Sequence, residues 1–188
     1  DKIKVAIVGK PNAGKSSIMN KLLGEERVMV SDVAGTTRDA IDMPFKYDGK
    51  DFLLIDTAGI RKKRAIAPES VELYSVLRAF EAVRRADVVL IVVDAKEGLS
   101  EQDVKIAGFV HEEGKPSIVV MNKWDLIEKD TKTMEKFNKK LSEDLKFMDY
   151  YVPLYVSAMT GQRLNKIMET VELVYDHSCY RISTSLLN

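Results

Sequence analysis

The stretch GKPNAGKS, Gly9 to Ser16, limits the fold more than any other part of the 188-residue chain. It satisfies G-x-x-x-x-G-K-S/T at every required place, and its flanks complete the pattern. The run IKVAIV reads as a strand before it, and a helical pattern follows. A strand that curls through glycines into a helix N-terminus aims successive backbone N–H groups at one spot, where the helix adds partial positive charge. Gly9 and Gly14 permit the curl. Lys15 supplies a full charge for phosphate oxygens, and the Ser16 hydroxyl is placed to ligate Mg2+. Lys10, Pro11, Asn12, Ala13 and Ser17 make up the rest of the expected cradle.

A phosphate loop of this kind needs a parallel sheet beneath it, and the chain supplies one. IKVAIVG, DVVLIVVDA and PSIVVMNK are Val/Ile-rich runs bounded by polar turns, as strands buried on both faces are. YVPLYVSA reads as another strand. DFLLIDTAG reads as one more, hairpin-paired with AIDMPFKYD across Gly49-Lys50. Between them, Met134, Phe137, Leu141 and Leu145 recur at helical spacing, as do Leu164, Ile167, Met168, Val171 and Tyr175; both sets read as core-facing stripes. Strands alternating with helices predict a doubly wound α/β domain: a mostly parallel six-stranded sheet, one antiparallel edge strand, and helices on both faces. Ligands of such sheets sit at the carboxyl ends of the strands.

Composition narrows the partners. Lys plus Arg and Asp plus Glu are 29 each, so the net charge is zero. The basic excess of a nucleic-acid-binding domain is absent, so no DNA partner is expected and any RNA contact would be local. The single cysteine, Cys179, forbids an internal disulfide and favours a reducing, cytoplasmic setting. No apolar run approaches membrane-spanning length, and no signal-like N-terminus is present, so no membrane partner is expected. Opening directly on a strand without Met, the chain reads as an excised piece with neighbouring domains missing.

The remaining motifs concern a base and a γ-phosphate. NKWD, Asn122 to Asp125, ends a strand. The Asp125 carboxylate can accept from guanine N1–H and the 2-amino group, a donor pair adenine lacks, and an unpaired buried acceptor costs about 1–3 kcal/mol. The Lys123 stem can lie on the base face, Asn122 can tie this loop to the phosphate loop, and Trp124 should point away from the base. Ser157 and Ala158 can complete the pocket, the Ala158 N–H donating to guanine O6. In DTAG, Asp56 would hold Mg2+ through a water and the Gly59 N–H would sense the γ-phosphate, with Thr57 and Ala58 between them. In AGTTRD, Thr37 or Thr36 would ligate Mg2+ when the γ-phosphate is present. RKKR, 61–64, is either a solvated loop or a contact exposed in one nucleotide state. Ile60 stands where the common template carries a water-orienting Gln, and an apolar side chain holds no water. Three readings stay open: a GTP hydrolase, a nucleotide-gated binding module with negligible turnover, and an ATP-using phosphate-loop enzyme, against which Asp125 argues.

Together these motifs resemble the translation-factor-class GTPases of the Era-like group. VSDVAGTTRDAID, ELYSVLRAFEAVRRADVVLIVVDAKEGLSEQD, NKWDL and TGQRLNKI resemble, more narrowly, the Der (EngA) family of double-GTPase-domain proteins. NKWD and the tail RISTSLLN resemble the second G domain of that family. The resemblance implies a P-loop GTPase G domain over residues 1–178 and a tail, 179–188, leading to an absent KH-like domain. It further implies GTP or GDP with Mg2+ as ligands and a part in late assembly of the large ribosomal subunit. The whole protein's partners would be the large subunit, its rRNA, a first G domain and the KH-like domain. Era-like members with an apolar residue at the Gln position and an Asn at the place of Asn12 use K+, completed by switch I carbonyls, here about 27–35. Slow, K+-stimulated GTP hydrolysis is the activity this implies. Lys15, Asn12, Thr36, Thr37 and Gly59 would take part, the attacking water being held by backbone groups at Thr36 and Gly59.

Overall fold

The structure is a computed structural model and describes residues 2–24, 42–57, 68–148 and 150–187. Thr36, Thr37, Ala58, Gly59, Ile60 and the 61–64 basic run lie outside the described residues. The chain runs β1 (Ile3–Val8), α1 (Lys15–Gly24), β2 (Met43–Tyr47), β3 (Lys50–Ile55), α2 (Pro68–Arg85), β4 (Val88–Asp94), α3 (Glu101–Glu112), β5 (Ser117–Asn122), α4 (Thr133–Asp144), β6 (Val152–Tyr155) and α5 (Asn165–Leu187). Short 3-10 turns cover Pro11–Ala13 and Trp124–Leu126.

Among the described residues the six strands form one sheet in the order β2-β3-β1-β4-β5-β6. Every pairing is parallel except β2 with β3. This is the predicted mixed sheet with its antiparallel edge. The hairpin turn falls one residue earlier than expected, on Asp48 and Gly49, because both adopt positive φ, 51° and 77°, leaving Lys50 to pair with Tyr47. A two-residue turn with both φ positive matches the twist of the strands it joins.

The apolar runs are continuous because side chains alternate between two covered faces. In β4, Val88, Leu90 and Val92 join Ile18, Leu22, Ile167 and Val171 on the face of α1 and α5. Val89, Ile91 and Val93 join Val83, Ile106 and Leu141 on the face of α2, α3 and α4. The α5 stripe packs as predicted, whereas the α4 stripe is shorter. Leu141 and Leu145 are buried, but Met134, at the first turn, is 37% exposed. The expected boundary after residue 178 falls inside α5, which runs on to Leu187 without a break. No described helix is long and apolar enough to cross a membrane.

The connections from β1 and β4 leave in opposite directions, so a crevice opens between the carboxyl ends of these two strands. The phosphate loop follows β1 and sits there.

Candidate functional site

Two glycines shape the loop. Gly9 has φ +139°, and a Cβ on it would lie 2.3 Å from the Val92 carbonyl oxygen of β4. Gly14 has φ +100°, and its Cβ would lie 2.2 Å from Asn122 Nδ2. Both positions are therefore closed to other residues by conformation and by space. Between them Pro11–Ala13 makes a single tight turn, after which Gly14 accepts the first α1 bond, from Ile18 N–H at 3.0 Å. Lys15 folds back so that its Nζ donates to the Gly9 carbonyl at 2.7 Å. Burial pushes its ammonium pKa below the usual lysine value, and the Asp103 and Asp56 carboxylates pull it back up. A partly desolvated ammonium of this kind is poised to gain from an arriving anion. Asp103, 1% exposed, belongs to a capping box with Ser100 that starts α3 beside this loop.

Asn122 is the junction of the site. It is 2% exposed at the end of β5. Its Nδ2 donates to the Ala13 carbonyl at 2.8 Å, and its Oδ1 accepts from the Ala158 N–H at 3.0 Å. One amide thus joins the phosphate loop, the NKWD loop and the loop after β6. The Ala158 N–H, expected to face a base oxygen, is in this structure turned onto Asn122. Lys123, in the left-handed region at φ 64°, reaches the Asn12 carbonyl at 2.9 Å and Asp94 Oδ2 at 3.0 Å. Its stem is thereby stretched across the floor between the two loops. Asn12 itself is exposed.

The Trp124 indole turns into the core, where its ring lies 5.1 Å from Phe137 and 4.6 Å from Tyr155. This inward turn leaves Asp125 facing out. Ser157 Oγ donates to Asp125 Oδ1 at 2.7 Å, fixing one carboxylate oxygen. Gly14, Ser17, Asn122, Lys123, Asp125 and Ala158 line a cavity of about 670 Å³. Sequence reasoning missed Asn20 and Lys21, which line it from α1, and Leu126 and Met159, which line its mouth. The spacing of Asn20 and Lys21 from Ser17, three and four residues, was the available signal. Leu126 and Met159 are 58% and 83% exposed, apolar walls set opposite polar ones.

Asp56 follows β3, next to the phosphate loop. Its carboxylate is forked by Arg78 of α2, with Nε donating to Oδ2 at 3.0 Å and Nη2 to Oδ1. Its backbone N–H donates to Asp42 Oδ1 at 3.0 Å, and Asp42 is held in turn by Arg85. Nothing in the motif pattern pointed to Asp42, Arg78 or Arg85. Among the described residues no cluster of three or more His, Cys, Asp or Glu could cage a metal. The Ser16 hydroxyl and Asp56 carboxylate are hard oxygen donors of the kind Mg2+ takes alongside phosphate and water, so the residues present fit that ion.

A phosphate loop at the switch point of a mixed sheet, with an Asn-Lys-x-Asp loop beside it, defines a P-loop GTPase domain. The model of the 50S ribosome-binding GTPase family matches residues 4–123, and that of the elongation factor Tu GTP binding domain matches 73–177. The chain belongs to the 50S ribosome-binding GTPase family. It is a homologue of GTPase Der, 55% identical over 188 residues to the protein from Agathobacter rectalis. It is 57% identical over 189 residues to that from Alkaliphilus metalliredigens. In both cases it covers 100% of this chain but only 42% of the relative's length. Among solved structures, Era in complex with MgGDPNP and a segment of 16S ribosomal RNA superposes with TM-score 0.65 at 31% identity. That match covers 91% of this chain and 56% of that one.

Proposed function

We propose that this chain is the second G domain of a Der-type protein. It binds GTP and GDP with Mg2+ and hydrolyses GTP to GDP and phosphate, as a switch in late assembly of the large ribosomal subunit. The observation that carries the reading is the Asn122 junction. A single buried amide holds the phosphate loop and the base loop at a fixed separation, so one ligand carrying both a polyphosphate and a base fits across them. The apolar mouth at Leu126 and Met159 suits the faces of a purine, and the Ser157-held Asp125 carboxylate suits its N1–H and 2-amino edge. In this reading Gly9 to Ser17 cradle the phosphates, with Lys15 leaving the Gly9 carbonyl for the β- and γ-oxygens. Ser16, Asp56 and Thr37 or Thr36 hold Mg2+, which neutralises phosphate charge when bound. Asn12 and switch I carbonyls hold K+ in place of a catalytic Gln, and backbone groups at Thr36 and Gly59 position the water.

The ribosomal role draws on the family's description and on Era's complex with ribosomal RNA. The share of the relatives' length beyond this chain leaves room for the first G domain and the KH-like domain. Competition between GDP, GTP and ATP for one site tests the reading. Guanine nucleotides should displace bound GDP at far lower concentration than ATP, and equal displacement by ATP would refute it. A second reading, a gated binding module with negligible turnover, draws on Ile60. Turnover in K+ separates the two.

A further inference from the structure

Helix α2 carries Arg78 and Arg85 seven residues apart, on one face and two turns from each other. The flank beside them packs Ala79, Ala82 and Val83 into the core, with Ala82 between the two arginines. Small side chains there bring the helix close, and both guanidiniums reach the strand ends, Arg85 to Asp42 before β2 and Arg78 to Asp56 after β3. The two carboxylates are themselves linked, because Asp42 Oδ1 accepts the Asp56 N–H. The result is one chain of contacts: Arg85, Asp42, Asp56, Arg78.

Arg78 uses both oxygens of Asp56, Nε on one and Nη2 on the other. The fork geometry of guanidinium with carboxylate is the strong, directional form of this pair. The side chains are 31% and 16% exposed, so solvent screens the pair only in part. A carboxylate so held has a positive charge against it on the same two atoms that an Mg2+-bound water would address.

We propose that Arg78 is a built-in competitor of Mg2+ for Asp56. The α2 helix holds this carboxylate when the ion is absent and must release it for the ion to bind. Mg2+ occupancy and the docking of α2 at the β3 end are then linked, each opposing the other by the same factor. The inference rests on the proposed placing of Mg2+ at Ser16 and Asp56. Arg78 acts through Asp56 and is a positioning residue that tunes the ion's affinity.

The test is GDP affinity by calorimetry across a Mg2+ series at constant ionic strength, in wild type, Arg78→Gln, Arg78→Lys and Arg85→Gln. Arg78→Gln should lower the Mg2+ concentration for half-maximal tightening by about fivefold or more. Arg78→Lys, which keeps charge but loses the fork, should lie between it and wild type. Arg85→Gln should move the midpoint less than Arg78→Gln does, because Arg85 reaches Asp56 only through Asp42. A midpoint unmoved or raised in Arg78→Gln overturns the proposal, a raised one meaning that Arg78 helps present Asp56 to the ion. An equal shift in Arg85→Gln also overturns it, since the effect would belong to helix docking in general. If wild-type GDP affinity shows no dependence on Mg2+, the ion's placing at Asp56 fails and takes this proposal with it. If wild type responds and Arg78→Gln does not differ, the competition alone fails.

Discussion

A β-carbon at Gly14 would stand 2.2 Å from Nδ2 of Asn122, the same nitrogen that donates to the Ala13 carbonyl. The phosphate loop and the base loop therefore touch at a point where neither can give way. Gly14→Ala should drive the two loops apart and abolish measurable GDP binding while leaving the sheet intact. Asn122→Ala removes the link, leaving the Ala13 carbonyl and Ala158 N–H unpaired. It should cost about 2 kcal/mol or more of stability. Calorimetric GDP titration and urea unfolding check both.

Asp125→Asn should weaken GDP binding by roughly 10- to 100-fold and turn preference toward xanthosine diphosphate. The structure says which way the new amide points. Ser157 donates its hydroxyl proton to Oδ1, so the amide oxygen stays there and the NH2 faces the base edge, toward the xanthine 2-carbonyl. Competition between the two nucleotides reads the switch, and an unchanged preference for GDP rules out this placing of the base.

Trp124 is the sole tryptophan, and it is 2% exposed. Its emission should be that of a shielded indole in the free protein. GDP should change its intensity more than its wavelength, because the ring stays packed on Phe137 and Tyr155 while Asp125, the next residue, is drawn to the base. A titration with independently verified saturation checks this. A large red shift would mean that the loop opens instead.

GTP turnover should be slow in Na+ and faster in K+ at equal ionic strength, with Rb+ replacing K+ and Li+ failing. Asn12→Ala should abolish the difference. The backbone of Asn12 is secured through its carbonyl by Lys123, so the substitution alters the exposed side chain without loosening the loop. Equal rates in K+ and Na+ would revive the binding-module reading.

The elements that sequence made legible are those where local chemistry has one solution. Gly9 and Gly14 are demanded by the phosphate loop, and β4 shows itself because covered faces leave no place for a polar residue. The contacts that escaped are long-range and built from residues with a default reading. Arg78 and Asp56 are 22 positions apart and Arg85 and Asp42 are 43 apart, and an arginine on a helix ordinarily points to water. The turn at Asp48-Gly49 was missed by one residue because Asp accepts positive φ almost as readily as Asn does. Residue 178, the expected end of the domain, lies within α5. No glycine or proline stands between Asn165 and Leu187 to stop α5.

The alternation of β4 between two covered faces has a consequence for how the molecule opens. Six of its seven residues are buried, and its neighbours β1 and β5 bond it along both edges. Its amide protons can meet solvent only when the whole sheet comes apart, so their exchange with deuterium should report global stability. The phosphate loop and the NKWD loop carry ligand-facing groups and have no strand along either side. Exchange there should slow when nucleotide binds, while β4 registers the ligand only through the mass-action gain in overall stability.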